Sequence, residues 1–305
     1  MRVVVTGPGG FIGRHLCAEL VQQGCEVIGV GREGRAGKGP LSAYEAVRGV
    51  PDVETLSAIL KRHRPNVVVH LAGATQAASF AELLNVNHGY CAAMIDASRQ
   101  LPLPPLLVTA GSAAEYGAPR APNRPMQESD EARPLTDYGK SKLAQTTLAL
   151  GACELSPVSL RLFNVIGPGA PETSAPGRFI ARAAALAPAG GVVKTGPLTA
   201  VRDFVSVAEI VKVMVGAAHG RLLPGLYNVC SGVGTPISAI TDALTRILPY
   251  PVVFKPERED PGIDVAIGDP SRLNAAGFSI TPVDLVAVLT EMALAAGIVL
   301  DRECA

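Results

Sequence analysis

Three glycines near the start of the chain constrain its fold more than any other feature. Gly7, Gly10 and Gly13 follow an apolar, β-branched run at residues 3–5, and a helical spacing of apolar residues begins directly after them. This order predicts a buried strand that turns tightly into a helix. Glycines at this spacing let a pyrophosphate approach bare backbone N–H groups and let the helix pack closely on the strand. A Gly-rich turn without a ligand is the alternative, and the position between a first strand and a first helix favours a dinucleotide-binding turn.

The end of the next expected strand, residues 26–30, bears on the choice of dinucleotide. NAD-binding versions of this turn carry an Asp or Glu about 20 residues beyond the glycines, which binds the ribose 2′-hydroxyl. Here the chain has Gly31 followed by Arg32, with Arg35 close by. A missing carboxylate removes the repulsion of a 2′-phosphate, and a guanidinium offers it a fork of donors. We therefore expect NADP(H) to be favoured, with NAD(H) as the alternative, unless Arg32 is a solvated loop residue.

Composition excludes several classes of partner. The 305 residues are 48% hydrophobic and carry a formal net charge of zero, which argues against a nucleic acid or an anionic membrane surface. The 6 cysteines and 5 histidines are scattered without metal-ligand spacing, so no metal site is expected. The chain enters a strand at once, and its longest apolar run, residues 292–300, is too short to cross a bilayer. We expect a cytoplasmic protein.

A tyrosine and a lysine four positions apart could carry proton chemistry. Tyr138 and Lys142 lie on one face of an expected helix. A tyrosine with its ordinary pKa of about 10 exchanges protons poorly at neutral pH, and a neighbouring ammonium lowers that pKa. Lys142 could also hydrogen-bond the nicotinamide ribose and orient the cofactor. An exposed helix pair is the alternative, and Lys140, which points to another side of the helix, is the weaker partner.

Further strings follow in a fixed order. The chain continues with R-L-F-N-V-I-G-P-G from Arg161, V-R-D-F from Val201 and Y-N-V-C-S-G from Tyr227. Together with the glycine turn and the Tyr/Lys pair, these strings resemble the extended short-chain dehydrogenase/reductase superfamily, in its nucleotide-sugar epimerase/dehydratase family. Within that family, GDP-4-keto-6-deoxy-D-mannose reductases and related NDP-4-keto-6-deoxyhexose reductases are the most similar. The resemblance runs from Met1 to about Leu289.

The resemblance implies roles for further residues. Ser112, in the string S-A-A-E-Y-G, would donate a hydrogen bond to the substrate carbonyl, and Tyr138 would protonate the forming alkoxide. Asn87 would hold a helix open for a water-mediated proton path, and Asn85 is the alternative residue for this role. The implied cofactor contacts are Gly7, Gly10, Phe11, Ile12, Gly13, Arg32, Leu71, Ala72, Gly73, Tyr138 and Lys142, and the implied substrate contacts are Ser112, Asn164, Arg202 and, as a weaker match, Arg258. We also expect Asp203 to pair with a nearby cation and His70 to be a core residue.

Alternating strands and helices, together with the resemblance, predict an α/β fold with a Rossmann-like doubly wound parallel sheet. The dinucleotide-binding domain is expected to occupy residues 1–165, with segments near 200–210 and 226–232 returning to it. Residues 166–305 would form a smaller, interleaved substrate-binding region. A homodimer, through the helices that carry Asn87 and Tyr138, is implied by the resemblance alone.

The implied reaction is NAD(P)H-dependent reduction of the C4 ketone of a nucleotide-diphosphate 4-keto-6-deoxyhexose. Ala113 and Ala114 stand where the family's 4,6-dehydratases carry an Asp–Glu pair, which argues against dehydration. An NAD-dependent nucleotide-sugar C4 epimerase would use the same residues, although Gly31 weighs against tightly held NAD. A non-catalytic dinucleotide sensor is the alternative of another class, and such proteins typically lack the Tyr/Lys pair.

Overall fold

A computed structural model describes residues 1–33, 40–121, 124–257 and 263–300 of the protein. Its strands are β1 (Arg2–Thr6), β2 (Glu26–Arg32), β3 (Ala43–Val47), β4 (Val67–His70), β5 (Leu106–Ser112), β6 (Val158–Leu162), β7 (Asn164–Ile166), β8 (Gly191–Thr195), β9 (Val201–Ser206), β10 (Gly225–Val229), β11 (Gly234–Pro236), β12 (Val252–Pro256) and β13 (Val265–Ala266). Its α-helices are α1 (Phe11–Gln22), α2 (Val53–His63), α3 (Phe80–Leu84), α4 (Tyr90–Arg99), α5 (Asp137–Gly151), α6 (Ala175–Ala184), α7 (Val207–Ala218), α8 (Ile237–Ile247), α9 (Ser271–Ala275) and α10 (Leu285–Ala295).

Seven parallel strands form the large sheet, in the order β10-β6-β5-β4-β1-β2-β3. The chain runs outward from β1 through β2 to β3 and then crosses back to β4 and β5 on the other side of β1. Ligands of such sheets bind outside the carboxyl ends of the strands at this reversal, between β1 and β4. The predicted Rossmann-like α/β fold is confirmed.

The sheet is buried on both faces because successive side chains of its strands point alternately into two layers of helices. Val3 and Val5 of β1 pack in one core with α1 and α7, and Val4 packs in another with α2 and α4. All three side chains are fully buried. Burial of a valine side chain contributes about 1.5–3 kcal/mol, so this short run alone anchors the middle of the sheet. The apolar run without polar alternation is therefore explained by its central position.

A smaller layer of strands lies apart from the large sheet. β9 pairs with β7, β11 and β13 in one sheet, β8 pairs with β12 in another, and α6, α8 and α10 form the core beside them. Within the segment near residues 200–210 that is expected to return to the dinucleotide-binding domain, β9 therefore pairs in the smaller sheet and not in the large one, whereas β10 joins the large sheet. An apolar strand pattern specifies a strand and not its pairing partner. The helix after β9, α7, packs on α1 and brings the chain back to the large sheet.

Side chains set the ends of several helices. Asp52 caps α2 by accepting a hydrogen bond from the Thr55 N–H (2.8 Å), as its position in the sequence indicates. The Ser174 hydroxyl accepts a hydrogen bond from the Gly177 N–H (3.2 Å), and α6 begins directly after this cap. Residues 80–99 form one long helical stretch that consists of α3, one π-helical turn and α4. In the part of the chain that the structure describes, no helix combines the length and apolar character that a membrane span needs.

Candidate active site

The glycine turn after β1 forms a bare backbone cradle. Gly7 has a φ of +68°, and a Cβ on it would lie 3.2 Å from the Cα of Ala72. A Cβ on Gly13 would lie 2.2 Å from the Gly7 carbonyl oxygen, so the helix can approach the turn only without a side chain there. The Gly10 N–H donates to that same carbonyl (3.0 Å), and no described side chain caps α1. The first N–H groups of α1 are therefore free to bind an anion such as a pyrophosphate.

A cleft of about 580 Å³ opens beside this turn. Its walls come from the carboxyl ends of β1, β2 and β4 and from the helices around the π-helical turn. Of the sequence-predicted cofactor residues, it is lined by Gly7, Gly10, Arg32, Leu71, Ala72 and Gly73. Gly13 lies beneath the turn, where it allows the close packing just described. The dimensions and the bare N–H groups fit an extended dinucleotide.

A threonine holds the segment after β4 in place beside the turn. The Thr6 hydroxyl accepts hydrogen bonds from the backbone N–H groups of Leu71 (3.1 Å) and Ala72 (2.9 Å). Its one proton is therefore donated to Nδ1 of His70, 3.1 Å away. Burial, reinforced by the charge of Lys142, lowers the pKa of His70 to about 3, so this histidine is neutral. Its place as a buried core residue agrees with the sequence expectation.

The end of β2 carries no carboxylate, and a tyrosine fills the space instead. A Cβ on Gly31 would lie 2.8 Å from the Tyr44 hydroxyl oxygen, and that hydroxyl donates to the Arg32 carbonyl (2.7 Å). The Arg32 side chain is exposed at the rim of the cleft. The Tyr90 hydroxyl is buried in the cleft wall and has no hydrogen-bond partner among the described atoms. Arg35 lies outside the described residues. The sequence analysis did not identify Tyr44 or Tyr90, because neither tyrosine lies in a motif that indicates a site.

Ser112, Tyr138 and Lys142 come together at the carboxyl end of β5. Ser112 ends that strand, and Tyr138 and Lys142 lie one turn apart on α5. A Cβ on Gly139 would lie 2.4 Å from the Ala114 carbonyl oxygen, so the glycine lets α5 touch the turn that follows Ser112. This contact brings the Tyr138 hydroxyl into a hydrogen bond with the Ser112 side chain. The sequence feature that indicates this contact is Gly139, directly after Tyr138.

The ionisation of Tyr138 differs from the sequence expectation. Burial raises the pKa of Tyr138, the hydrogen bond with Ser112 opposes the rise, and the Glu115 carboxylate adds to it. The expected net lowering of the Tyr138 pKa is therefore wrong for the ligand-free protein, because burial is the largest cause and it disfavours the phenolate. A phenol with a raised pKa stays protonated at neutral pH and can donate its proton.

Lys142 is buried behind Tyr138. Its side chain is 7% exposed and its Nζ donates to Oε1 of Gln145 (2.5 Å). Burial lowers the pKa of Lys142 to about 8, against the charge of Glu115, which favours the ammonium. Lys140 instead forms an exposed ion pair with Asp137 (3.1 Å), which agrees with its weaker standing as a candidate.

A buried ion pair lies beneath Ser112. Oε1 of Glu115 accepts hydrogen bonds from the Ser112 N–H (2.7 Å) and the Thr146 hydroxyl (3.0 Å). Its Oε2 accepts from Nε of Arg161 (2.7 Å), and both side chains of the pair are almost fully buried. The Arg161 guanidinium also stacks over the ring of Tyr116, 4.4 Å from the ring centroid. The resemblance strings contain Glu115 and Arg161, but nothing in the sequence shows that they meet.

Asn87 lies in the π-helical turn Asn85–Gly89 between α3 and α4. Its Oδ1 accepts from the Ala74 N–H (2.8 Å), and its Nδ2 donates to the Ala74 carbonyl (2.9 Å) and to the Ser141 hydroxyl (2.8 Å). Asn87 therefore joins the segment after β4 to α5, whereas Asn85 lines the dinucleotide cleft. This geometry favours Asn87 over Asn85 as the residue that supports the site, and its role in a proton path stays a prediction.

Tyr138 lines a second cleft, of about 460 Å³. Sequence-predicted residues that line it are Phe11, Ile12, Tyr138, Asn164 and Arg202. Nδ2 of Asn164 donates to the Asp203 carbonyl (3.1 Å), which leaves its amide oxygen for another partner. Arg202 donates through Nη1 to the Val201 carbonyl (2.9 Å), and Arg178 adds a second cationic side chain. Arg258 lies outside the described residues.

Asp203 does not pair with a cation in the described part of the chain, so that prediction is wrong. Its carboxylate is fully buried and accepts hydrogen bonds from the N–H and hydroxyl of Ser231 (2.9 and 2.7 Å) and from the N–H groups of Gly232 (2.9 Å) and Gly268 (3.2 Å). Burial raises the pKa of Asp203, and these bonds oppose the rise. Four donors from two loops take the place of a cation, so Asp203 fixes the strand that carries Arg202.

Fold and site together define the class. A parallel sheet with a glycine turn at its reversal and a Ser/Tyr/Lys cluster beside it is the architecture of a dinucleotide-dependent enzyme acting at a carbonyl or alcohol carbon. The sequence profile of the NAD dependent epimerase/dehydratase family matches residues 3–230, and the chain belongs to this family. It is therefore an NAD-dependent enzyme of the extended short-chain dehydrogenase/reductase type.

Individual relatives agree with this assignment. The chain is 35% identical over 283 residues to a dTDP-6-deoxy-L-talose 4-dehydrogenase (NAD(P)(+)) of Kitasatospora kifunensis, across 87% of this chain and 88% of the relative. It is 26% identical to a UDP-glucose 4-epimerase of Yersinia pestis, across 85% and 87%. A crystal structure of the Thermus thermophilus UDP-glucose 4-epimerase in complex with NAD superposes with a TM-score of 0.84 at 25% identity, across 97% and 99%.

Proposed function

We propose that the protein catalyses the NAD(P)H-dependent reduction of the C4 ketone of a nucleotide-diphosphate 4-keto-6-deoxyhexose. The observation that carries this proposal is the place of Tyr138 in the wall of the second cleft, beside Ser112 and one helical turn before Lys142. Reduction of a ketone needs a hydride at carbon and a proton at oxygen, and a phenol with a raised pKa is a proton donor at neutral pH. Bound NAD(P)H supplies the hydride.

The chain's own residues have separate tasks in this reaction. Ser112 donates a hydrogen bond to the carbonyl oxygen and stabilises the negative charge that develops there. Tyr138 transfers its phenolic proton to that oxygen, so the product is a secondary alcohol and the phenolate remains. Lys142, as an ammonium, stabilises the phenolate and orients the nicotinamide ribose. Asn87 holds the π-helical turn against α5 through Ser141.

The second cleft suits a sugar nucleotide. Arg202 and Arg178 offer guanidinium forks for a diphosphate, and the amide oxygen of Asn164, which has no hydrogen-bond partner among the described residues, could accept from a sugar hydroxyl. The talose relative is named for chemistry at C4 of a 6-deoxyhexose joined to dTDP, and its reverse reaction is the reduction proposed here. We therefore place a dTDP sugar beside a GDP sugar as candidate substrates. Ala113 and Ala114 supply no acid for a dehydration.

The proposed cofactor preference is NADP(H) over NAD(H). Its support is the end of β2, where Gly31 provides no carboxylate and the exposed Arg32 can reach a 2′-phosphate. The name of the talose relative includes both NAD and NADP, whereas the epimerase structure contains NAD. We also propose a homodimer, on the family resemblance.

A C4 epimerase is the second candidate, because several relatives are named UDP-glucose 4-epimerases. An epimerase oxidises and then reduces the same sugar, so it keeps its nicotinamide bound throughout. Release of a stoichiometric nicotinamide dinucleotide from the denatured, freshly purified protein would favour the epimerase. A protein free of dinucleotide would favour the reductase.

The test is NAD(P)H consumption against GDP-, dTDP-, UDP- and CDP-linked 4-keto-6-deoxyhexoses. We expect one nucleotide to support oxidation of NADPH and Tyr138→Phe to abolish it. Lys140→Ala is the matched control, since Lys140 lies on the same helix with an exposed side chain, and it should retain activity. No oxidation with any sugar nucleotide, while NADPH binding is intact, would refute the reductase and leave the epimerase as the better candidate.

A further inference from the structure

We propose that Glu115 is a positioning residue that keeps Tyr138 in its proton-donating form and fixes Ser112 beside it. This inference rests on the proposed use of Tyr138 as a proton donor. Glu115 is fully buried and lines neither cleft within the described part of the chain, so it acts through its neighbours.

One carboxylate joins the two elements that carry the reacting groups. Through Oε1 it binds the backbone N–H of Ser112, at the end of β5, and the hydroxyl of Thr146, on α5. Thr146 lies one turn beyond Lys142 and two turns beyond Tyr138 on the same helix, so the bond holds that helix against the strand end. Ser112 and Glu115 also close a reciprocal capping box around the turn between them. The Ser112–Tyr138 hydrogen bond therefore depends on a shared anchor.

The charge of Glu115 also favours one protonation state of the site. The titratable side chains around Tyr138 and Lys142 come from four neighbouring elements. They are His70 on β4, Cys91 on α4, Glu115 after β5 and Arg161 on β6. Burial keeps His70 neutral, and it raises the pKa of Cys91 to about 12, so that thiol is uncharged as well. Among these groups, charge remains on the Glu115–Arg161 pair, and the Lys142 ammonium on α5 itself adds a charge that favours the phenolate. The carboxylate is the member that bonds directly to Ser112, and it favours the phenol over the phenolate.

Two variants of the same ion pair separate charge from structural damage. Glu115→Gln removes the anion and leaves Arg161 unpaired, whereas Arg161→Gln removes the cation and leaves the anion unpaired. We expect Glu115→Gln to increase the ionisation constant of Tyr138 about tenfold and Arg161→Gln to decrease it. A merely structural role would move both variants in the same direction or not at all.

The readout is independent of substrate turnover. Tyrosinate absorbance is followed after a rapid jump to alkaline pH, before the protein unfolds, and the same trace from each variant combined with Tyr138→Phe is subtracted to isolate Tyr138. Thr146→Val is the matched control, because it loses one bond to Glu115 and keeps the charge, so the ionisation constant should stay within about twofold of wild type.

The direction of the two shifts distinguishes a charge effect of Glu115 from a merely structural role. Opposite shifts in the two ion-pair variants support the inference, and so does the expected shift in one of them if the other does not fold. Shifts in the same direction, or an unchanged ionisation constant in a folded variant, overturn it. Because this titration needs no sugar nucleotide, it stands even where the reductase assay fails. Where turnover is present, Glu115→Gln should lower kcat while the dissociation constant of NADPH is unchanged.

Discussion

Replacing Lys142 by methionine should stabilise the protein while it abolishes activity. Burial lowers the pKa of Lys142 from 10.5 to about 8, so the unfolded chain binds this proton more tightly than the folded protein does. A difference of roughly 2.5 pKa units corresponds to about 3 kcal/mol of destabilisation, which is fully present below the folded pKa. Methionine of similar volume removes that cost and loses the hydrogen bond to Gln145, about 1 kcal/mol. The net gain near neutral pH is about 2 kcal/mol.

The pH dependence distinguishes this cause from better packing. As the pH rises from about 8 to 10.5, the unfolded state also loses its proton and the cost of burying the ammonium disappears. The advantage of Lys142→Met should therefore fall from about 2 kcal/mol near neutral pH to about zero near pH 10.

Urea unfolding of both proteins at the two pH values, extrapolated linearly to water, measures it. The exposed substitution Lys140→Met is the control and should change stability by no more than about 0.5 kcal/mol. An advantage that is absent near neutral pH, or that does not shrink with rising pH, would refute the reasoning.

Three further substitutions test other parts of the account. Gly13→Ala places a Cβ 2.2 Å from the Gly7 carbonyl and should weaken NADPH binding at least about tenfold by calorimetric titration, whereas Gly151→Ala, which meets nothing within 4 Å, should not; equal affinities would contradict this. Tyr90→Phe removes a buried hydroxyl without a described partner, so it should stabilise the ligand-free protein by about 1 kcal/mol, and a lower melting temperature would contradict it. Asp203→Asn replaces the carboxylate oxygen that accepts from the Gly232 and Gly268 N–H groups by an amide group that can only donate. It should lower the free energy of unfolding in urea by about 1–3 kcal/mol, and an unchanged midpoint would contradict this.

Local patterns predicted the parts of the site that depend on local geometry. The spacing of Gly7, Gly10 and Gly13 describes one turn, and four positions between Tyr138 and Lys142 describe one helix face, so both features needed no knowledge of the rest of the fold. The central strand was visible as well, because burial on both faces leaves no polar alternation.

Long-range pairings were out of reach of the same reasoning. The sequence pattern of β9 predicts a strand. Its pairing with β7, and not with a strand of the large sheet, depends on the path of the chain after β6. Asp203 was expected to need a cation, yet backbone N–H groups from distant loops satisfy it. Glu115 and Arg161 are 46 positions apart, and only the packed sheet shows that they form a buried pair.

The fate of the hydride tests the central claim most directly. The purified enzyme would be given NADPH deuterated at the transferable position of the nicotinamide, together with the sugar nucleotide that supports turnover, and the product sugar would be examined by NMR. Reduction at C4 predicts one deuterium bonded to C4 and none at C3 or C5, and Tyr138→Phe should give no labelled product. A 4-keto sugar that gains no deuterium, together with a 4-hydroxy sugar nucleotide that is returned with inverted C4 and without deuterium, would contradict the reductase and would identify hydride return within a tightly bound cofactor, as an epimerase requires.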